Sequence, residues 1–168
     1  QWCAAMMRIG QGFDVHAFAP VGSATQFALG GISIPDERGV IAHSDGDVLL
    51  HALMDAILGA LGLEDIGHQF PDTDPAYQNA DSRGLLKAVV EMMRNAGFSV
   101  VNVDATVLLE APKVKPYRPL MIAAIAEGLG CDVSCVSVKA TTTEKLGFVG
   151  RGEGLAAQVV VLLSANRA

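Results

Sequence analysis

The residues of this chain best suited to chemistry are two histidines and a few carboxylates. In the stretch His43 to Leu53, H-S-D-G-D-V-L-L-H-A-L, a run begins that is apolar from Val48 to Leu61 except for His51 and Asp55, which with Asp47 just ahead recur every fourth position. That spacing places all three on one narrow stripe of a helix. A helix apolar on nearly every other side is buried. There an imidazole or carboxylate without a partner costs roughly several kcal/mol, so these side chains need hydrogen bonds or a metal ion. Upstream, Asp14-Val15-His16 ends the run Met7 to Phe13. On a strand, residues two apart point to the same side, so Asp14 and His16 project together. With His51 added, two histidines and one carboxylate leave the fourth tetrahedral position open, as in catalytic rather than structural zinc. A D-x-H pair by itself is more often a solvated loop than a ligand set; the buried histidine is what gives it weight.

Alternating helices and strands must position these residues. Arg8 to His16 reads as a strand, with Gly10 and Gly12 on one side of the pleat where backbone or ligand can approach closely. No helix start follows that Gly-x-Gly, so a dinucleotide-binding turn is excluded. Phe27 to Ile34 resembles a β-hairpin around Gly30-Gly31. Ser44 followed by Asp47 resembles a capping box that opens the organising helix. Glu64 to Pro75 is an acidic, proline-containing loop without periodicity, in which Asp65, Asp72 and Asp74 can hold polyol hydroxyls, although capping turns is their commoner use. Asp81 or Ser82 caps a second helix that stops at Gly97. Phe98 to Leu109 is a strand, Pro116 opens a third helix running to about Gly128, and Cys135 to Ala140 is a strand delivering Thr141 to Glu144 to its carboxyl end. Gly147 to Gly154 is a glycine-rich turn, and Leu155 to Leu163 is the last strand. The pattern predicts an α/β fold, an α+β sandwich with one sheet covered by helices.

Composition narrows the class. The 168 residues suit a single domain, expected over residues 7–168, with residues 1–6 as a vector-derived or trimmed extension. Hydrophobic residues make up 51%, yet the apolar runs stop short of the about 18 residues of a membrane span, so surplus apolar surface points to self-association. A net charge of −6 argues against a nucleic-acid partner and implies that an anionic ligand would need recruited cations. Cys3, Cys131 and Cys135 read as free thiols.

Taken together, G-F-D-V-H, H-S-D-G-D-V-L-L-H-A-L, D-I-G-H-Q-F-P-D-T-D-P, A-P-K and K-A-T-T-T-E-K-L-G-F-V-G-R-G-E-G resemble the 2-C-methyl-D-erythritol 2,4-cyclodiphosphate synthase family. The five motifs occur in family order over nearly the whole chain after Met7. The resemblance implies conversion of 4-diphosphocytidyl-2-C-methyl-D-erythritol 2-phosphate to the cyclic diphosphate plus CMP, in non-mevalonate isoprenoid biosynthesis. It also implies one mixed sheet and a homotrimer with active sites between subunits around a central channel.

Carried over by position, Asp14, His16 and His51 resemble the zinc ligands, and Glu144 a ligand of Mg²⁺ or Mn²⁺. His43 and Thr142 fall where phosphate is oriented or polarised, with Ser44 beside His43. Asp65, Ile66 and Gly67, then Phe70, Pro71, Asp72, Thr73 and Asp74, match the segment that holds the erythritol. Leu109, Glu110, Ala111, Pro112, Lys113, Val114 and Lys115, with Thr141 and Thr143, match the cytidine pocket. Phe148 and Arg151 match the end of the channel, where an isoprenoid diphosphate is bound in some members. Asp45 and Asp47 read equally as helix-end charges, Asp55 as a hydrogen-bonded or interface group, and His68 as solvated. The expected compartment is the bacterial cytoplasm, or a plastid after transit-peptide removal. The rivals are a regulatory protein that binds isoprenoid diphosphate without turnover and a zinc phosphodiesterase in which metal-bound water attacks.

Overall fold

The computed structural model describes residues 6–71 and 80–166. The alternation that starts at Met7 becomes β1 (Met7–Phe18), whose even-numbered residues face the helices and whose odd-numbered residues face away. β2 (Gln26–Leu29) and β3 (Ile32–Pro35) form the expected hairpin. Gly30 and Gly31 occupy its turn at φ of 62° and 79°, a conformation open to glycine at little cost. A two-residue strand, β4 (Val40–Ile41), pairs with the end of β1; it is too short to leave a periodic signal.

Next comes α1 (Val48–Leu61), with the expected bounds. Its N-cap is Asp47 and not Ser44: the Asp47 carboxylate accepts from Leu50 N–H at 3.0 Å and also from Gly30 and Gly31 N–H at 2.8 and 2.7 Å, fastening the hairpin turn to the helix start. Gly10 and Gly12 explain how closely α1 lies on β1. A Cβ on either would come within 1.8 Å of a helix carbonyl oxygen, that of Ala56 or Ala52, so strand and helix meet backbone to backbone.

The segment read as an irregular acidic loop contains one helical turn, α2 (Ile66–Gln69), started by Asp65, whose carboxylate accepts from His68 N–H at 2.8 Å. Asp81 caps α3 (Ser82–Asn95), which leads to β5 (Phe98–Leu108). The third long helix begins later than Pro116 suggested: the proline lies in a 3₁₀ turn over Lys115–Tyr117, and α4 (Arg118–Leu129) follows and ends at Gly130 with φ of 69°. Cys135 closes a second 3₁₀ turn, so β6 (Val136–Thr141) starts one residue late. Inside the glycine-rich turn lies α5 (Gly147–Gly150), and β7 (Gly154–Ala165) outruns its expected span at both ends.

One mixed sheet in the order β4-β1-β7-β5-β6 results, with β5 and β6 parallel and the other pairs antiparallel. α1 packs on β1 and β7, α4 on β6, and α3 lies between α1 and α4. Among the described residues, no helix covers the opposite sheet face. Met7 and Ile9 are 66% and 71% exposed there, with Phe13, Val15 and Val160 alongside. No helix among the described residues is long and apolar enough to cross a membrane. Cys131 and Cys135 are free thiols.

Candidate active site

The backbone contact between β1 and α1 brings Asp14, His16 and His51 together at the carboxyl end of β1. Their ligand atoms lie within 4.8 Å of one another. His51 Nδ1 is 3.0 Å and His16 Nε2 3.1 Å from Asp14 Oδ2, and the two nitrogens are 3.2 Å apart. Three lone pairs facing one another at such distances need positive charge among them, a proton or a cation. Tetrahedral zinc with bonds of about 2.0–2.1 Å separates its ligand atoms by about 3.3 Å, so this triangle approximates one face of that polyhedron. The donor set and its spacing fit a zinc ion.

His51, 6% exposed, is oriented from behind. Its Nε2 lies 3.0 Å from Ser82 Oγ and 3.2 Å from Ser44 Oγ. Ser82 Oγ donates to Asp45 Oδ1 and therefore accepts from Nε2–H; Asp45 Oδ2 also takes the Ser82 N–H at 2.9 Å. The chain Asp45–Ser82–His51 fixes the tautomer that turns the Nδ1 lone pair toward Asp14 and His16. Burial works against ionisation of Asp14, but the hydrogen bonds of His16 and of His51 in its Nδ1-protonated, cationic form outweigh it and hold the carboxyl well below its usual range. Burial likewise disfavours charge on His51, yet the Asp14 carboxylate more than compensates and the imidazole sits above its ordinary value.

The polar stripe on α1 thus serves three ends. Asp47 caps and binds the hairpin, His51 joins the triangle, and Asp55 accepts from Ile66 N–H at 2.8 Å, hanging α2 from the helix one turn beyond His51. Ile66 and Gly67 lie in α2, Phe70 caps it and Pro71 follows. The Asp65 carboxylate is occupied by the His68 N–H, and His68 pairs with Glu64 at 2.7 Å instead of standing free. Asp72, Thr73 and Asp74 lie outside the described residues. His43 is exposed just ahead of Ser44.

The remaining candidates cluster where β5 and β6 end. Thr142 Oγ1 donates to Glu144 Oε1 and accepts the Glu144 N–H, both at 3.3 Å. Glu144 and the next residue, Lys145, hold φ of 53° and 65°, uncommon for side chains with a Cβ. Glu110 stabilises this turn: its Oε1 accepts from Thr143 N–H at 3.0 Å and Lys145 N–H at 3.3 Å, so its carboxylate is engaged by backbone. Thr141 ends β6, and its carbonyl accepts the Leu109 N–H at 3.0 Å. Leu109 and Val114 are buried, so any ligand contact there comes from main chain, whereas Ala111, Lys113 and Lys115 are exposed and Pro112 half-buried. Phe148 is exposed on α5; Arg151 ends that turn and forks onto Glu153 at 2.8 and 3.1 Å.

Sequence reading missed Ser82 and Asp45 as the support of His51 and Glu110 as the support of the Glu144 turn. Ser82 is 31 residues from His51 and 37 from Asp45, so no local pattern links them.

The YgbB family model matches residues 7–164. The 2-C-methyl-D-erythritol 2,4-cyclodiphosphate synthase of Aromatoleum aromaticum is 61% identical over 159 residues, covering 95% of this chain and 94% of that protein. The Pasteurella multocida synthase is 56% identical over 158 residues, covering 94% and 98%. Among solved structures, the IspF–CDP complex of Plasmodium falciparum aligns with a TM-score of 0.83 at 35% identity, over 95% of this chain and 97% of that one. The bifunctional IspDF of Campylobacter jejuni aligns with a TM-score of 0.92 at 45% identity, over 98% of this chain and 44% of that longer chain. The chain belongs to the YgbB family, that of the 2-C-methyl-D-erythritol 2,4-cyclodiphosphate synthases.

Proposed function

We propose that this chain is a cyclodiphosphate synthase, converting 4-diphosphocytidyl-2-C-methyl-D-erythritol 2-phosphate to 2-C-methyl-D-erythritol 2,4-cyclodiphosphate and CMP. The observation that carries this reading is the Asp14–His16–His51 triangle with its oriented histidine, in a chain of this family. An oxygen of the 2-phosphate attacks the β-phosphorus of the same molecule, the bond from that phosphorus to the oxygen of the α-phosphate breaks, and CMP leaves. The nucleophile is already anionic, so no general base is needed.

What the residues contribute is placement. Asp14, His16 and His51 would hold Zn²⁺, and Glu144 would offer a carboxylate to Mg²⁺ or Mn²⁺. Cations held there would supply the positive charge that offsets charge developing on the diphosphate. His43 and Thr142 orient phosphate, the segment from Asp65 to Asp74 takes the erythritol, and the main chain of Leu109–Lys115 with Thr141 and Thr143 receives the cytidine. Holding both ends of one substrate converts a flexible tether into a near-attack geometry.

The working unit in this reading is a homotrimer in the bacterial cytoplasm, with each site shared between neighbours. The uncovered sheet face supports self-association, since Met7, Ile9, Phe13 and Val15, interrupted by Gln11, expose apolar side chains along β1 that a free monomer would leave in water. An isoprenoid diphosphate at Phe148 and Arg151 would have to draw Arg151 from Glu153.

Phosphorus NMR of the products tests the chemistry: a cyclic diphosphate is expected, and linear phosphates would instead establish a hydrolase. Light scattering at micromolar protein tests the assembly; an active monomer would refute shared sites.

A further inference from the structure

Arg38 lies in the turn between β3 and β4, and three contacts fix its guanidinium plane. Nε and Nη2 fork onto Asp36 at 2.8 and 3.0 Å, and the group stacks 4.0 Å from the centre of the Phe18 ring. Nη2 also donates to the Ala111 carbonyl oxygen at 2.8 Å, across 73 residues of sequence. A guanidinium carries its donors in one rigid plane, so a carboxylate at its edge and a ring against its face aim the remaining N–H.

The base beneath it is rigid as well. Asp36 N–H donates to the Thr25 carbonyl, Gly22 and Ala24 N–H both donate to the Glu37 carbonyl, and Ala19 N–H donates to the Gly39 carbonyl. The Arg38 side chain is 20% exposed, unlike a freely solvated surface pair. Phe18 in turn packs edge-on against Phe27 and sits two residues beyond His16 on the same side of β1. Through Arg38, the middle of the Leu109–Lys115 loop is therefore tied to the strand that carries Asp14 and His16. Buried Leu109 and Val114 pin the two ends of this loop, while Ala111 and Lys113 between them are exposed.

We infer that Arg38 is a positioning residue that grips the Ala111 carbonyl and so presets the main chain of the Leu109–Lys115 loop for a cytidine nucleotide. This rests on the proposed function, which assigns the nucleotide to that loop. Without the grip, the loop spreads over more conformations, and apparent affinity falls by the fraction that remains competent; a loop competent a tenth of the time binds about tenfold more weakly. The reacting phosphates are held on β1, α1 and the Thr142–Glu144 turn; Glu110, beside Ala111, keeps its own hydrogen bonds to that turn next to buried Leu109, so the larger loss falls on binding and the smaller on turnover.

Calorimetric titration with CDP, on the zinc-loaded full chain with Mg²⁺, tests this. Arg38→Ala should weaken CDP binding by about tenfold and raise KM by a similar factor, with kcat within about twofold and zinc content unchanged. Arg38→Lys keeps one donor for Ala111 but not the planar fork, and should fall between. If Arg38→Ala does not fold, Arg38→Lys and Asp36→Asn are read in the same way. Variants that bind CDP as tightly as wild type, or that lose kcat with KM unchanged, overturn the inference alone. A wild type that binds no CDP overturns the proposed function and this inference with it.

Discussion

The two halves of the proposed site are built by opposite means. Asp14, His16 and His51 stand on a long strand and a buried helix that touch backbone to backbone, and His51 is locked from behind by Ser82 and Asp45. Thr142 and Glu144 stand on an exposed turn with two left-handed residues, held by Glu110 from the neighbouring loop, which Arg38 grips further along. The first half is preorganised by the core of one chain. The second is assembled from loops, where a ligand or a second subunit can still finish the fit.

The largest expected effect comes from breaking the rigid half. His51→Ala should abolish both zinc binding and activity, because no other imidazole of the triangle is so buried or so oriented. Elemental analysis checks this: stoichiometric zinc in the purified variant would refute the ligand assignment. Glu144→Gln attacks the other half. It should leave zinc in place while turnover falls by about a hundredfold at limiting Mg²⁺, since Glu144 is the carboxylate proposed to hold that cation. Normal turnover at limiting Mg²⁺ would erase the proposed division between two metal sites.

Ser82→Ala sharpens the comparison, for it leaves all three ligands in place and removes the nearer of the two hydroxyls at His51 Nε2 together with its hydrogen bond to Asp45. Zinc affinity should drop by about 10- to 100-fold, as seen when the partner of a ligating histidine is lost. Competition with a chromophoric chelator measures it, and an unchanged affinity would mean that burial and Ser44 suffice to orient the ring.

The smallest effect is one of pH. Zinc must displace the proton that the raised His51 imidazole otherwise holds, whereas depressed Asp14 stays ionised far into acid. The sign follows. From a pH somewhat above the ordinary histidine value of about 6.5 downward, zinc affinity should fall by about tenfold per pH unit for this one proton. Without metal, the raised His51 contributes stability present below about 6.5 and lost as pH rises through its folded value, while Asp14 contributes stability present above about 3.9 and lost only in strong acid. Chelator competition between pH 5 and 8 reads the first trend; affinity flat across that range would show that His51 carries no competing proton.

Much of the regular half was legible in the chain itself. The run from Val48 to Leu61 announced its helix, the alternation after Met7 its strand, and a histidine among leucines had to have a partner. Gly10 and Gly12 signalled close approach, which proved to be of α1. The supports were not legible. Asp47 displaced Ser44 as the cap because two hairpin N–H groups converge on it, a contact between segments 16 and 17 residues apart. α2, α5 and β4 escaped because elements of two to four residues carry no period.

What the sequence by itself determined is the set of side chains that cannot be left alone in a core, and their motif order identified the family. Which partner each one takes was decided only when β1, α1 and α3 packed together. Hydrogen-bond direction, the His51 tautomer and the reach of Arg38 to Ala111 depend on distances of about 3 Å between residues tens of positions apart, and local propensity and periodicity hold no information on that scale.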